Sequence, residues 1–164
     1  GAEFLLNRQI ENLSTWLSFS YGLNEYFFPT LGVHRFPSNF DIQNTLNFVL
    51  SYSKKRTKVS LGLNCHSGRP TTLPIEGTEI IGEKINYQSP NSSRLSEYMR
   101  ADFSAQFSFN LGKKIKANTA VSVWNLLDIS NETDKYFQIA NGQVLEIQRR
   151  SLGLTPNARL NLTF

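Results

Sequence analysis

Two histidines, His34 and His66, the single cysteine Cys65, and the aspartates Asp41, Asp102, Asp128 and Asp134 are the side chains of this 164-residue chain best suited to hold a metal or move a proton. A metal site needs three or four such ligands at short, recurring spacings. Neither histidine has a Cys, His or carboxylate partner at such a spacing, and the aspartates are scattered. Satisfied structural histidines are the expectation, with no metal, no cofactor and no enzymatic activity. Gly68-Arg69-Pro70 is a turn signal rather than a phosphate-cradling loop. Cys65 has no partner for an internal disulfide, so cysteine usage is silent about compartment.

The net charge of +4 would admit a polyanion partner, but placement argues against nucleic acid. Seven basic residues fall into two short clusters, Lys54, Lys55, Arg56 and Lys58, then Lys113, Lys114 and Lys116. Each cluster closes an alternating segment, which reads as a solvated turn.

Those turns belong to a chain written almost wholly in period two. Seven strands are read, at about 2–9, 13–26, 44–53, 58–67, 98–110, 117–126 and 155–164. In RADFSAQFSFN, Ala101, Phe103, Ala105, Phe107 and Phe109 form one face and Arg100, Asp102, Ser104, Gln106 and Ser108 the other. Only 117–126 leaves its parity open. Trp16 breaks a face of serines, either pointing inward or marking a slipped register.

The connections alternate strictly in length. Ile10–Asn12, Lys54–Thr57 and Leu111–Lys116 are short; Gly22–Gln43, Gly68–Glu97 and Leu127–Leu154 are long. In the last of these, Asn141-Gly142 between two β-prone runs predicts a type I′ hairpin at 136–140 and 144–148. Short turns at one end and long loops at the other are the plan of a transmembrane β-barrel, whose strands of about 10 residues cross an apolar band of roughly 25 Å.

Composition agrees. Charged residues are 18% of the chain, against roughly 25% in an ordinary soluble domain. The polar face is mainly Ser, Asn, Gln and Thr, with a few charges such as Lys58, Arg100, Asp102 and Arg159, the chemistry of a lumen or a packed polar interior. No run approaches the length of a membrane helix. Phe103, Phe107, Phe109, Leu160 and Leu162 are then expected to face lipid, Phe107 near mid-depth. Tyr21, Tyr26, Phe27, Phe28, Phe36 and Phe40 collect where strands meet long loops, as an interfacial girdle or as loop packing. Aromatic and guanidinium groups dominate binding surfaces, which makes Tyr26, Arg35, Arg69 and Tyr136 the candidate ligand contacts.

Four stretches, FPSNFDIQNTLNFVLSYS before a basic turn, HSGRPTT, RLSEYMRADFSAQFSF, and VSVWNLLD followed by RRSLGLTPNARLNLTF, carry a resemblance that covers nearly the whole chain, 1–164, in family order. The segment resembles the C-terminal part of a TonB-dependent outer-membrane receptor, of the group with a carboxypeptidase-regulatory-like domain ahead of the plug. Ser96 and Asn44 depart from the family, which often has proline and histidine there. The resemblance implies an all-β fold: an antiparallel transmembrane β-barrel segment of about seven strands within a 22-strand barrel. It implies an importer of a scarce nutrient such as a siderophore, vitamin, glycan or peptide, located in the bacterial outer membrane. The implied partners are the remaining barrel strands and plug of the same receptor, the TonB complex, outer-membrane lipid, the barrel-assembly machinery and a surface lipoprotein.

Two features of the termini fit. Gly1 opens directly onto the alternating run GAEFLLNRQ, so the chain is expected to begin inside a strand and to find its missing neighbours in other segments. The ending NARLNLTF places Phe164 where the family carries its barrel-assembly signal. Two other readings share the alternation: a soluble extracellular β-sandwich that binds carbohydrate, and a barrel used as an adhesion or anchoring platform without transport.

Overall fold

A computed structural model describes residues 1–31 and 35–164; His34 lies outside them. β1 (Ala2–Ile10) and β2 (Leu13–Tyr21) form a hairpin, and the first long loop holds β3 (Glu25–Tyr26), a 3-10 turn (Pro29–Leu31) and β4 (Phe36–Pro37). The hairpin β5 (Asn44–Lys54) and β6 (Thr57–His66) leads into a second loop with β7 (Pro70–Thr71), β8 (Ile80–Ile81), β9 (Lys84–Ile85) and β10 (Ser93–Arg94). A third hairpin, β11 (Tyr98–Leu111) and β12 (Ile115–Trp124), is followed by the loop hairpin β13 (Glu132–Ala140) and β14 (Gln143–Arg150), then by β15 (Thr155–Thr163). No α-helix occurs among the described residues.

The seven long strands make one antiparallel sheet in the order β1-β2-β5-β6-β11-β12-β15, so neighbours in sequence are neighbours in space. β1 and β15 are its edges and do not pair with each other; the sheet is open, not a closed barrel.

Strand 13–26 of the sequence reading stops at Tyr21. The Gly22 amide closes the ladder on the Gln43 carbonyl at 2.9 Å, and the Asn24 amide is then captured by Asp41 Oδ1 at 2.7 Å, which turns the chain away. Tyr26 pairs with Phe36 instead. Strand 117–126 begins earlier, at Ile115, and ends at Trp124 because Asn125 takes the left-handed conformation, φ 53°. The loop hairpin is longer than expected, with Asn141 (φ 51°) and Gly142 (φ 74°) supplying the type I′ turn.

No register shift interrupts the six pairings of the large sheet, so one parity holds throughout. Thr15, Leu50, Leu61, Phe103, Val123 and Pro156 form one continuous cross-strand row. One residue along, and therefore on the opposite face, runs Gln9, Ser14, Ser51, Ser60, Ser104, Ser122 and Asn157. The open parity of 117–126 resolves with Ala117, Thr119, Val121 and Val123 on the apolar face. Trp16 pairs with Asn7 and Val49 in unbroken register, so it stands among the serines without a slip.

Side chains knit the polar face. Asn47 Nδ2 donates to Ser18 Oγ at 3.3 Å, Asn64 Nδ2 donates to Asn47 Oδ1, and the Ser51 and Ser60 hydroxyls meet at 2.7 Å. Such bonds are worth roughly 0.5–1.5 kcal/mol each.

The apolar face has no such partner. Phe4, Leu61, Phe107, Val121, Leu160 and Leu162 are exposed, and the buried hydrophobic residues among those described are Phe36, Leu95, Ala101 and Ala117. Soluble domains bury an apolar sheet face under a second layer. Among the described residues no second layer lies over this one.

The turns also step along the sheet. Leu13, beside the first turn, is level with Tyr52, Val59 and Ala105, yet β11 runs on from Ala105 to Leu111 before its own turn. Stagger of this kind accompanies strand tilt in a barrel wall. It also moves Phe107, expected near mid-depth: opposite Thr57, it lies closer to Leu111 than to Tyr98, whereas Phe103, opposite Leu61 and Val123, is nearer the middle.

Candidate functional site

All three long loops leave the same end of the sheet, and buried polar groups bind them into one platform. Asp41 is the centre. Its side chain is 3% exposed; Oδ1 accepts the Asn24 amide, and Oδ2 accepts the Arg94 guanidinium. Arg94 Nη1 also donates to the Asp41 carbonyl at 2.7 Å and the Gly68 carbonyl at 3.0 Å. One ion pair thereby joins the first loop, the second loop and the exit from β6. Asn91 adds a second tie, its Nδ2 donating to the Pro37 carbonyl at 2.8 Å and to Asn39 Oδ1 at 2.7 Å.

Gly68 is required at this junction, because a Cβ there would stand 1.7 Å from the Leu95 carbonyl oxygen. Gly68→Ala is expected to push the second loop off the sheet at a cost of about 1–3 kcal/mol, the usual range for an overpacked site. Faster amide exchange at Leu95, whose N–H donates to the Arg69 carbonyl, would report it; wild-type exchange would contradict it.

The third loop is held by two asparagines. The buried Asn125 side chain donates to the Ile129 and Leu152 carbonyls at 2.9 and 3.0 Å and accepts the Ile129 amide, while its own amide bonds Asp102 Oδ1. Asn131 exchanges a reciprocal pair with the Met99 backbone, 2.9 and 2.8 Å, imitating a strand partner for β11. Lys135 Nζ lies 3.3 Å from both Glu132 and Glu146. The Glu146 carboxyl is held below its ordinary range, first by the Gln148 amide and then by Lys135.

Where the loops meet, a cavity of about 280 Å³ is lined by Asn39, Phe40, Arg69, Thr71, Leu95 and Asp134. Its wall offers a guanidinium, a carboxylate, an amide and an aromatic ring, a donor set for a small polar ligand with hydroxyl or zwitterionic groups.

The four candidate contacts separate. Arg69 is in the cavity wall, with one guanidinium nitrogen donating to the Thr133 carbonyl. Tyr136 stands exposed on β13 with the Arg149 guanidinium 5.4 Å from its ring centre. Tyr26 belongs to another group, packed on Phe28 and Phe36 at 5.6 and 5.7 Å between ring centres. Arg35 is exposed, 3.8 Å from Glu25 and 5.9 Å from the Phe27 ring centre. Of the aromatics expected near the strand ends, Phe36 is buried in loop packing, while Phe27, Phe28 and Phe40 are exposed.

His66 stacks on Tyr98 at 4.6 Å, and its Nδ1–H faces the Ser67 carbonyl at 2.8 Å. No group of three or more His, Cys, Asp or Glu gathers among the described residues. Asp128 Oδ1 accepts the Leu154 amide, and Asp102 pairs with Arg100 at 3.0 Å.

Asp41, Arg94, Asn91, Asn125 and Asn131 were invisible as a set in the sequence, because their partners lie far away along the chain. The one local signal is that Asn91 (φ 56°) and Asn125 (φ 53°) take a left-handed conformation that asparagine tolerates.

In comparison with known proteins, no family model matches the chain, and neither a curated protein nor a solved structure does.

Proposed function

We propose that this chain forms part of the wall of a transmembrane β-barrel in the bacterial outer membrane, and that the barrel is a nutrient importer of the TonB-dependent receptor type. The observation that carries the reading is the apolar face, in phase across seven strands and uncovered among the described residues, backed by a face on which Ser, Asn, Gln and Thr predominate. Lipid satisfies the first and a lumen the second. The loop platform supports the rest of the reading, since a rigid, polar, extracellular rim is where a solute is captured before passage.

In this reading Phe103, Phe107, Phe109, Leu160 and Leu162 meet acyl chains. The edges β1 and β15 pair with further barrel strands, because an open edge in hydrocarbon costs several kcal/mol per unsatisfied group. A plug fills the lumen, and the TonB complex drives transport.

Removing residues 136–148 from the intact protein tests the functional half. The Arg69 bond to Thr133 lies outside this segment, so assembly is expected to be unchanged while uptake falls. Unchanged uptake would sink the importer reading for this loop, and lost assembly would make the hairpin a structural element. Detergent dependence tests the other half: recovery of the intact protein in the aqueous fraction after an alkaline wash would rule out a membrane wall and favour the sandwich.

A further inference from the structure

We infer that the notch beside the β5–β6 turn binds an anionic phospholipid, taking its phosphate on the turn and its acyl chain on the apolar face. The inference rests on the proposal that the turn end lies at a bilayer surface.

The notch is a product of stagger. The β5–β6 turn ends against the side of β11, where the Ser108 amide donates to the Arg56 carbonyl at 2.8 Å, while β11 continues to Leu111. The step leaves an open groove of about 460 Å³ lined by Tyr52, Lys54, Lys55, Arg56, Thr57 and Phe107. Its two walls differ in chemistry. Tyr52 and Phe107 are exposed and stand on the apolar face, which continues through Leu160 beyond Thr119. Lys54, Lys55 and Arg56 are exposed at the rim and make no ion pair among the described residues. A phosphate diester with hydrocarbon attached satisfies both walls, whereas free phosphate leaves the aromatic wall in water.

Charge distribution selects the same ligand. The chain has 13 acidic residues, and Glu11 alone of them belongs to one of the three short turns. The turn end is therefore cationic, with Lys113 and Lys114 in the next turn and Lys116 just beyond it in β12, and the loop end carries nearly all the carboxylates. Each lysine or arginine near an anionic surface contributes about a fivefold gain in binding.

The test uses the full-length protein reconstituted into phosphatidylcholine nanodiscs doped with a photoactivatable-acyl phosphatidylglycerol. Crosslinks in the wild-type protein are expected at Tyr52 and Phe107, resistant to excess inorganic phosphate. Lys54→Gln with Lys55→Gln and Arg56→Gln is expected to reduce crosslinking by tenfold or more, whereas Lys113→Gln with Lys114→Gln and Lys116→Gln, which removes equal charge outside the groove, should reduce it severalfold less. Equal losses in the two triple variants would show general surface attraction and overturn the site. Displacement by inorganic phosphate would show an anion site without lipid and overturn it too. Insertion into phosphatidylcholine alone with wild-type crosslinks spread along the apolar face would refute the site while leaving the membrane wall intact. Failure to insert into either bilayer would refute both.

Discussion

Arg94→Ala is expected to detach the loop platform at a local cost of about 3–5 kcal/mol, the range for breaking a buried ion pair and stranding its partner. The stranded group is the Asp41 carboxylate, 3% exposed, with the Asn24 amide as its remaining hydrogen-bond donor. The reverse change is milder. Asp41→Asn leaves a guanidinium that is 29% exposed and can turn to water, so a cost nearer 1–2 kcal/mol is expected. Both effects should stay at the loop end: amide exchange at Asn24 and Leu95 quickens, loops become protease-sensitive, and the β5–β6 and β11–β12 ladders keep their protection. Arg94→Ala with wild-type loop exchange would show that the ion pair is incidental to the platform.

The large sheet was legible because alternation needs no distant information. Each strand carries its own period-two signal, and the serines of β2, β5 and β6 declare the polar face residue by residue. Phe103, Phe107, Phe109, Leu160 and Leu162 were assigned to one face from that pattern, and the register places them together. Parity does not emerge from 117–126 alone because alanine sits on both faces, as Ala117 and Ala120, and Thr119 stands on the apolar one; pairing with the unambiguous β11 decides it. Depth was also hidden. Phe107 lies 4 residues from the Leu111 end of β11 and 9 from the Tyr98 end, and the β5–β6 turn that ends beside it marks it as lying toward the rim. The loop platform was almost illegible, since Asp41 finds Arg94 across two loops, and the reciprocal bond between Asn131 and Met99 follows no sequence spacing. Arg69 and Tyr136 stand out in the sequence by residue type alone, which does not reveal that Arg69 spends a nitrogen on the Thr133 carbonyl.

Phe103→Arg in the complete protein, refolded into bilayers, is expected to cost about 2–4 kcal/mol, because a guanidinium would be placed in hydrocarbon near mid-depth. Phe107→Arg should cost less, roughly 0–1 kcal/mol if its site is interfacial, with repulsion from the nearby Lys54, Lys55 and Arg56 added. On the opposite face, Ser104→Arg should also be milder than Phe103→Arg, because Ser104 lies in the polar row between Ser60 and Ser122 and water can reach the charge. A gradient from Phe103 to Phe107 is the result expected of a lipid-facing wall. Equal penalties at both positions would point to an apolar core and to the sandwich.

Stability alone still mixes packing with lipid contact, so the deciding measurement is direct contact with the acyl region. Cys65 stands on the apolar face opposite Leu46 and Met99 and must first be replaced by serine. Single cysteines at 103 and 104 of the intact protein are then spin-labelled in bilayers and exposed to a lipid-confined relaxation agent and to a water-soluble one. Position 103 should respond to the lipid-confined agent and not the aqueous one, and position 104 should be shielded from the lipid-confined agent. Equal shielding of both positions from the lipid agent, or the reversed pattern, would contradict the membrane wall.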